Sequence, residues 1–250
     1  MRNSHLTYRT SNPALNKNTF KSVSSSNSFS LDQKMTIKGT VDKTAFCLIL
    51  LLIPAYYVFT TGSVGYAIPG AFLVIILAFV TIFKRKWAQY TVPAYSVAQG
   101  CALGGISYYY NQAYDGIVLQ SISLTVCILF SLLFAYRSKI IRATENFKLG
   151  LFAAMGGIIL LYVVNFIMSF FGSGISLLDI NNSSNLSIGL SLFIVVIASL
   201  NLVIDFDFIE EGSEKGAPKY MEWYGAFGLL VTLIWLYLEI LRMLAKIKNR

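Results

Sequence analysis

Seven apolar stretches, at roughly 44–60, 66–83, 91–110, 116–136, 149–171, 186–206 and 221–246, divide the chain after residue 43. A bilayer crossing takes about 20 mostly apolar residues. With no water at that depth, the backbone must satisfy its own hydrogen bonds, which selects helix over open strand. The stretches therefore predict an all-α membrane protein with seven transmembrane helices. Short connections make most consecutive helices antiparallel neighbours in a bundle, so lipid is the first expected partner.

Composition removes several alternatives. Apolar residues make up 56% of the chain and charged residues 13%, outside the usual balance of a soluble domain. The net charge of +8 does not point to nucleic acid, because the cations sit in the tail and in short loops, where they set membrane orientation. Cys47, Cys101 and Cys127 all fall inside apolar stretches, a scatter that suits neither a disulfide framework nor a metal site. His5 is the one histidine, in a polar tail, so no histidine-based metal centre and no resident cofactor are expected.

Residues 1–43 read as a separate flexible, polar and basic tail, rich in Ser, Asn, Thr and Lys, with the run 22–30 almost without large apolar residues. It is too long and too polar for a signal peptide, so the first apolar stretch stays as an anchor. Loop charges set the frame. Lys84, Arg85 and Lys86 mark loop 84–90, and Arg137, Lys139, Arg142 and Lys148 mark loop 137–148. Loops 61–65, 111–115 and 172–185 carry no Lys or Arg. This alternation predicts a cytoplasmic N-terminus. Lys246, Lys248 and Arg250 pull the other end toward the same side, against the outside location that seven crossings require.

Small residues mark close helix approaches. Gly100 and Gly104 stand four apart with Gly105 beside them, and Gly156-Gly157 lie in the fifth stretch; such spacing lets backbones approach in lipid. Tyr108, Tyr109 and Tyr110 close the third stretch where an interfacial aromatic belt belongs.

The chemistry rests with acids in the last two stretches. Ionisable groups at lipid depth are costly and mark ion or proton paths. Asn201 and Asp205 are four apart and share one helix face, whereas Asp207 points elsewhere, nearer water, with Glu210 and Glu211 beyond. These three, Asn201, Asp205 and Asp207, are the candidate ion path and pH sensor; the alternative is that Asp205 and Asp207 cap the helix end at the interface. Burial disfavours the charged form of a carboxylate, which brings such a group within reach of physiological pH. Glu239 and Arg242, three apart, form a candidate pair that locks the last helix, and Glu222 stands at its entrance beside Trp223 and Tyr224.

At these residues the chain resembles a known family. The run Asn201-Leu202-Val203-Ile204-Asp205-Phe206-Asp207-Phe208-Ile209-Glu210, the segment Gly216-Ala217-Pro218-Lys219-Tyr220-Met221-Glu222-Trp223-Tyr224 and the ending Leu236-Tyr237-Leu238-Glu239-Ile240-Leu241-Arg242 resemble the bacterial branch of the Bax inhibitor-1 family. The segments Ser11-Asn12-Pro13-Ala14-Leu15 and Gln99-Gly100-Cys101-Ala102-Leu103-Gly104 are similar too. The resemblance implies six helices wrapping the last one, in a bacterial inner membrane. It also implies a pH-sensitive calcium leak, with paired aspartates of the last two helices as the latch. Asp205 matches the sixth-helix aspartate and Arg242 the arginine late in the seventh. Thr232 stands where the partner aspartate belongs, and Gln99 where some relatives carry a glutamate; Glu239 and Glu222 remain as substitutes.

Three function classes follow. The first is a low-rate leak for calcium or another cation. The second is a non-transporting regulator that binds a membrane protease or another integral membrane protein. An enzyme comes last and is not expected, since no His-Glu metal spacing, no protease-type intramembrane aspartate pair and no Ser-His constellation is present.

Overall fold

The computed structural model describes residues 34–250. Among them, seven long helices follow one another: α1 (Ile37–Thr61), α2 (Ala67–Phe83), α3 (Ala88–Ala113), α4 (Ile117–Arg137), α5 (Glu145–Phe170), α6 (Asn185–Glu214) and α7 (Met221–Lys248). Short 3-10 turns at Val64–Tyr66, Arg85–Trp87 and Ser176–Leu178 lie in the connections. The expectations placed on His5 and on residues 11–15 and 22–30 fall outside the described residues.

Polar residues sit inside these apolar helices because their hydroxyls are used at home. Thr44, Ser96, Ser121 and Thr125 each donate to the carbonyl four residues back, at 2.8–2.9 Å. Such back-bonding satisfies the group without a partner helix. Helix ends are marked by local chemistry as well. Gly62 takes a left-handed conformation, φ 65°, and stops α1. The Thr144 hydroxyl accepts from the Phe147 N–H at 3.3 Å and starts α5.

Six of the helices, all but α3, are long and apolar enough to cross a membrane. Of the seven expected spans, α3 is the one that falls short in apolar character, and the reason is burial. Thirteen of its 26 residues are buried, many of them Ala, Gly, Ser or Thr. A helix that faces protein on much of its circumference needs no lipid-grade surface. At the other extreme, α2 and α5 bury only 11% of their most apolar stretch, and their exposed faces are dominated by Phe, Leu, Ile and Val.

The chain forms two compact units. One comprises residues 34–115 with Asp205–Val231, the other Gly116–Ile204 with Thr232–Arg250. In the first, α3 lies against both α1 and α2 through glycines. A Cβ on Gly100 would come within 2.2 Å of the Leu51 carbonyl oxygen, and one on Gly104 within 2.6 Å of that of Ala55. A Cβ on Gly105 would meet that of Ala67 at 2.4 Å. Thr81 donates to the Thr91 hydroxyl at 2.7 Å, tying α2 to α3. Tyr108 packs over Gly62, bringing the end of α3 to the end of α1, while Tyr109 is exposed.

In the second unit the core is a ladder of Leu151, Ile158, Ile194, Ile197 and Ile204, with Tyr162, Leu178 and Trp235 packed on it. Leu151 and Ile158, seven apart on α5, define its inner face. Gly156 and Gly157 lie off that face and meet nothing within 4 Å. The close approach expected there is absent among the described residues.

Candidate functional site

Helix α6 continues to Glu214, well past the predicted end at 206. Asp205 is therefore interior to a helix and does not cap one, and it is 2% exposed. Asn201, one turn earlier and also buried, donates its Nδ2–H to its own helix at the Ile197 carbonyl, 2.9 Å. Asp207 is half-buried and Glu210 exposed. Acidity thus grades from buried to wet along about one and a half turns. Thr232 is buried on α7 and Gln99 on α3.

Glu239 and Arg242 build a four-residue cluster inside one unit. Arg242 Nη1 donates to both carboxylate oxygens of Glu239 at 3.1 Å. Tyr162 of α5 donates its hydroxyl proton to Glu239 Oε1 at 2.7 Å, and the Trp235 indole N–H reaches the same oxygen at 3.2 Å. Arg242 also donates to the Tyr162 oxygen at 2.7 Å, with its guanidinium 5.4 Å from the ring centroid. Three donors thus surround a carboxylate that is itself 2% exposed. This geometry fixes the register of α7 against α5. The i,i+3 spacing announces the pair, but Tyr162 is 77 positions away from Glu239 and carries no signal in the sequence.

A second buried acid, Glu222, works in the other unit. Thr36 is the N-cap of α1, and its hydroxyl accepts from the Gly39 N–H at 3.0 Å. In a capping box, a Glu at the third helical position would take the N-cap's own N–H. That position is Gly39, and α7 supplies the carboxylate instead. Glu222 Oε1 accepts from both the N–H and the hydroxyl of Thr36, each at 2.9 Å, while Oε2 pairs with Lys43. A Cβ on Gly39 would lie 2.3 Å from that Oε1, so only glycine leaves room. Met35 N–H donates to the Ala217 carbonyl at 2.6 Å, joining the approach to α1 to the approach to α7. Residues 34–43, read from sequence as tail, belong to this structure.

Lys246, one of the last charges, is engaged within the fold. Its side chain is fully buried, and the ammonium donates to the Leu177 carbonyl at 2.7 Å, an oxygen also taken by the Ser187 hydroxyl at 2.9 Å. Asn249 reaches the Asn181 carbonyl at 3.2 Å. The end of α7 thus meets the connection between α5 and α6, with Lys246 as a structural cation there.

Among the described residues, no group of three or more His, Cys, Asp or Glu side chains converges as a metal site. No curated protein and no solved structure matches the chain. A family model described as Bax inhibitor 1 like matches residues 12–249. A multi-pass membrane architecture and acids buried in the last two helices accompany that match, and the chain belongs to the Bax inhibitor 1 like family.

Proposed function

We propose that this protein is a pH-sensitive cation leak of the Bax inhibitor-1 type, with calcium as the permeant ion and Asp205 as the titrating group. The observation that carries the reading is a carboxylate 2% exposed in the interior of an apolar helix, a costly placement of the kind that marks ion and proton paths. Protonation removes the charge and with it the electrostatic obstacle or attraction that a cation meets. Asp207 and Asn201 flank it as the wetter acid and the neutral neighbour. No catalytic residue and no cofactor belong to this reading.

The arrangement proposed is seven crossings, six helices around the last, with the N-terminus cytoplasmic in a bacterial inner membrane. It is supported by the ends that meet within each unit. Residues 35 and 217 meet at one end of their unit and residues 62 and 108 at its opposite end, while residues 181 and 249 meet at one end of the second unit. Each pairing agrees with strict alternation of the seven helices across a bilayer.

Calcium flux into dye-loaded proteoliposomes, followed across pH for wild type and Asp205→Asn, tests the leak. A pH profile unchanged by the substitution removes Asp205 from the mechanism. Thr232, in the position of the second acid, favours a second reading: a non-transporting regulator that binds a membrane protease or another integral membrane protein. Absence of flux from well-folded wild-type protein selects it.

A further inference from the structure

We infer that the turn between α2 and α3 is a binding site for the phosphate headgroup of an anionic phospholipid. The cleft there, about 480 Å³, is lined by Ile82, Phe83, Lys84, Arg85, Lys86 and Trp87. Three consecutive cations stand in it and no carboxylate lines it. A second cleft of about 500 Å³, at the start of α1, makes the contrast: its Lys38, Lys43 and Lys219 are accompanied by Asp42 and Glu222.

The local fold sorts the three cations. Residues Arg85–Trp87 form a 3-10 turn, closed by the Trp87 N–H donating to the Lys84 carbonyl at 2.8 Å. Three residues per turn eclipse positions three apart, which puts Lys84 over Trp87, its ammonium 4.4 Å from the ring centroid. Arg85 turns inward, half-buried, with its guanidinium 5.7 Å from the Tyr224 ring. Lys84 and Lys86 stay exposed. The turn therefore offers two exposed lysines, Lys84 with its ammonium over the Trp87 ring and Lys86 beside it, with the third cation held against Tyr224.

The neighbours choose a lipid over free phosphate. Phe83 is 79% exposed, Trp87 52% and Tyr90 72%. These are amphipathic or apolar rings of the kind that lie at headgroup level, and directly before them α2 presents its apolar, exposed face. Inorganic phosphate would meet the lysines and leave the rings in water. A phospholipid fills both demands: phosphate on Lys84 and Lys86, glycerol and upper acyl chain along Phe83 and Trp87. Juxtamembrane lysines attract anionic lipid by about a factor of five each.

Purified full-length protein in neutral detergent, titrated with phosphatidylglycerol or phosphatidylcholine and read by native mass spectrometry, tests this. Wild type should retain phosphatidylglycerol preferentially. The double variant Lys84→Gln/Lys86→Gln should lose that preference by about thirtyfold, with phosphatidylcholine unchanged, whereas Lys38→Gln/Lys219→Gln should keep it. Retention of the preference by the first double variant overturns the site. Displacement of the lipid by excess inorganic phosphate overturns the lipid as ligand. Should the double variant fail to fold, wild type alone decides: binding that does not weaken with rising salt is not electrostatic, and the proposal fails.

Discussion

Glu222 completes the N-terminal cap that Thr36 begins, although 186 positions separate them. Its carboxylate takes the one backbone N–H and the hydroxyl that the capping sequence leaves without a local acceptor, and Lys43 balances the charge. The acid at the entrance of α7 is therefore a fixture of α1.

Gly39→Ala should dislodge Glu222, because the added methyl lands on its carboxylate oxygen at 2.3 Å. An alanine there raises local helix propensity by up to about 1 kcal/mol, yet losing the cap and leaving a buried carboxylate ill-paired costs more, about 2–4 kcal/mol. The net expected outcome is a lower melting temperature in detergent. A variant melting at or above wild type would mean the cap contributes little.

Arg242→Ala should act on stability ahead of conduction. It removes the cation facing a 2% exposed Glu239, a change that costs about 3 kcal/mol for a buried pair, less here because the Arg242 side chain is 28% exposed. Glu239→Gln keeps an oxygen for Tyr162 and Trp235 and should cost less. Melting curves beside flux selectivity separate the cases; full stability with altered selectivity would put Arg242 in the ion path.

Gly100→Ala and Gly156→Ala should differ in sign. The first drives a methyl to 2.2 Å from the Leu51 carbonyl oxygen and forces α1 and α3 apart, with overpacking of about 1–3 kcal/mol or more. The second enters open space on an exposed helix face and should be neutral or stabilising by up to about 1 kcal/mol. Expression level and melting temperature read both.

Cysteine labelling in intact cells should show positions 181 and 249 accessible from one side and position 140 from the other. The first two share a hydrogen bond, and position 140 lies in the connection after α4. Labelling of 181 and 249 from opposite sides would break the alternation on which seven crossings rest.

The pH response of the proposed leak should follow a single shallow titration. Asn at position 205 mimics the protonated, neutral acid, so Asp205→Asn should hold the flux at its low-pH level and remove the change seen as pH rises. Thr232 cannot share a proton, and the steep two-step profile of a coupled carboxylate pair is not expected. Two resolved steps in the wild-type profile would mean that Asp205 does not act alone.

Hydropathy made the helices legible, since a helix in lipid must advertise itself residue by residue. It misplaced their ends where helix and membrane part company. Helix α6 runs on through Asp207, Glu210 and Glu211, supported by a Glu211–Lys215 ion pair, after its apolar character has ended. Helix α1 starts at Ile37 because its cap is closed by a residue from the far end of the chain. The Glu239–Arg242 pair was readable from spacing; Tyr162 was not, because only the fold brings α5 beside it. The role of Lys246 was hidden for the same reason: a charge count does not distinguish a solvated lysine from one whose ammonium rests on a backbone carbonyl of another segment.

The long span between Thr36 and Glu222 sets a schedule for biogenesis. At synthesis rates of about 5–20 residues per second, the acceptor for the α1 cap leaves the ribosome roughly 10–40 seconds after the donor. Until then Lys43 and the first turn of α1 lack their acceptor, and Tyr95 of α3 lacks the Phe227 ring that packs edge-on against it at 5.1 Å. A nascent chain stopped before residue 221 thus lacks the carboxylate that closes the cap of α1.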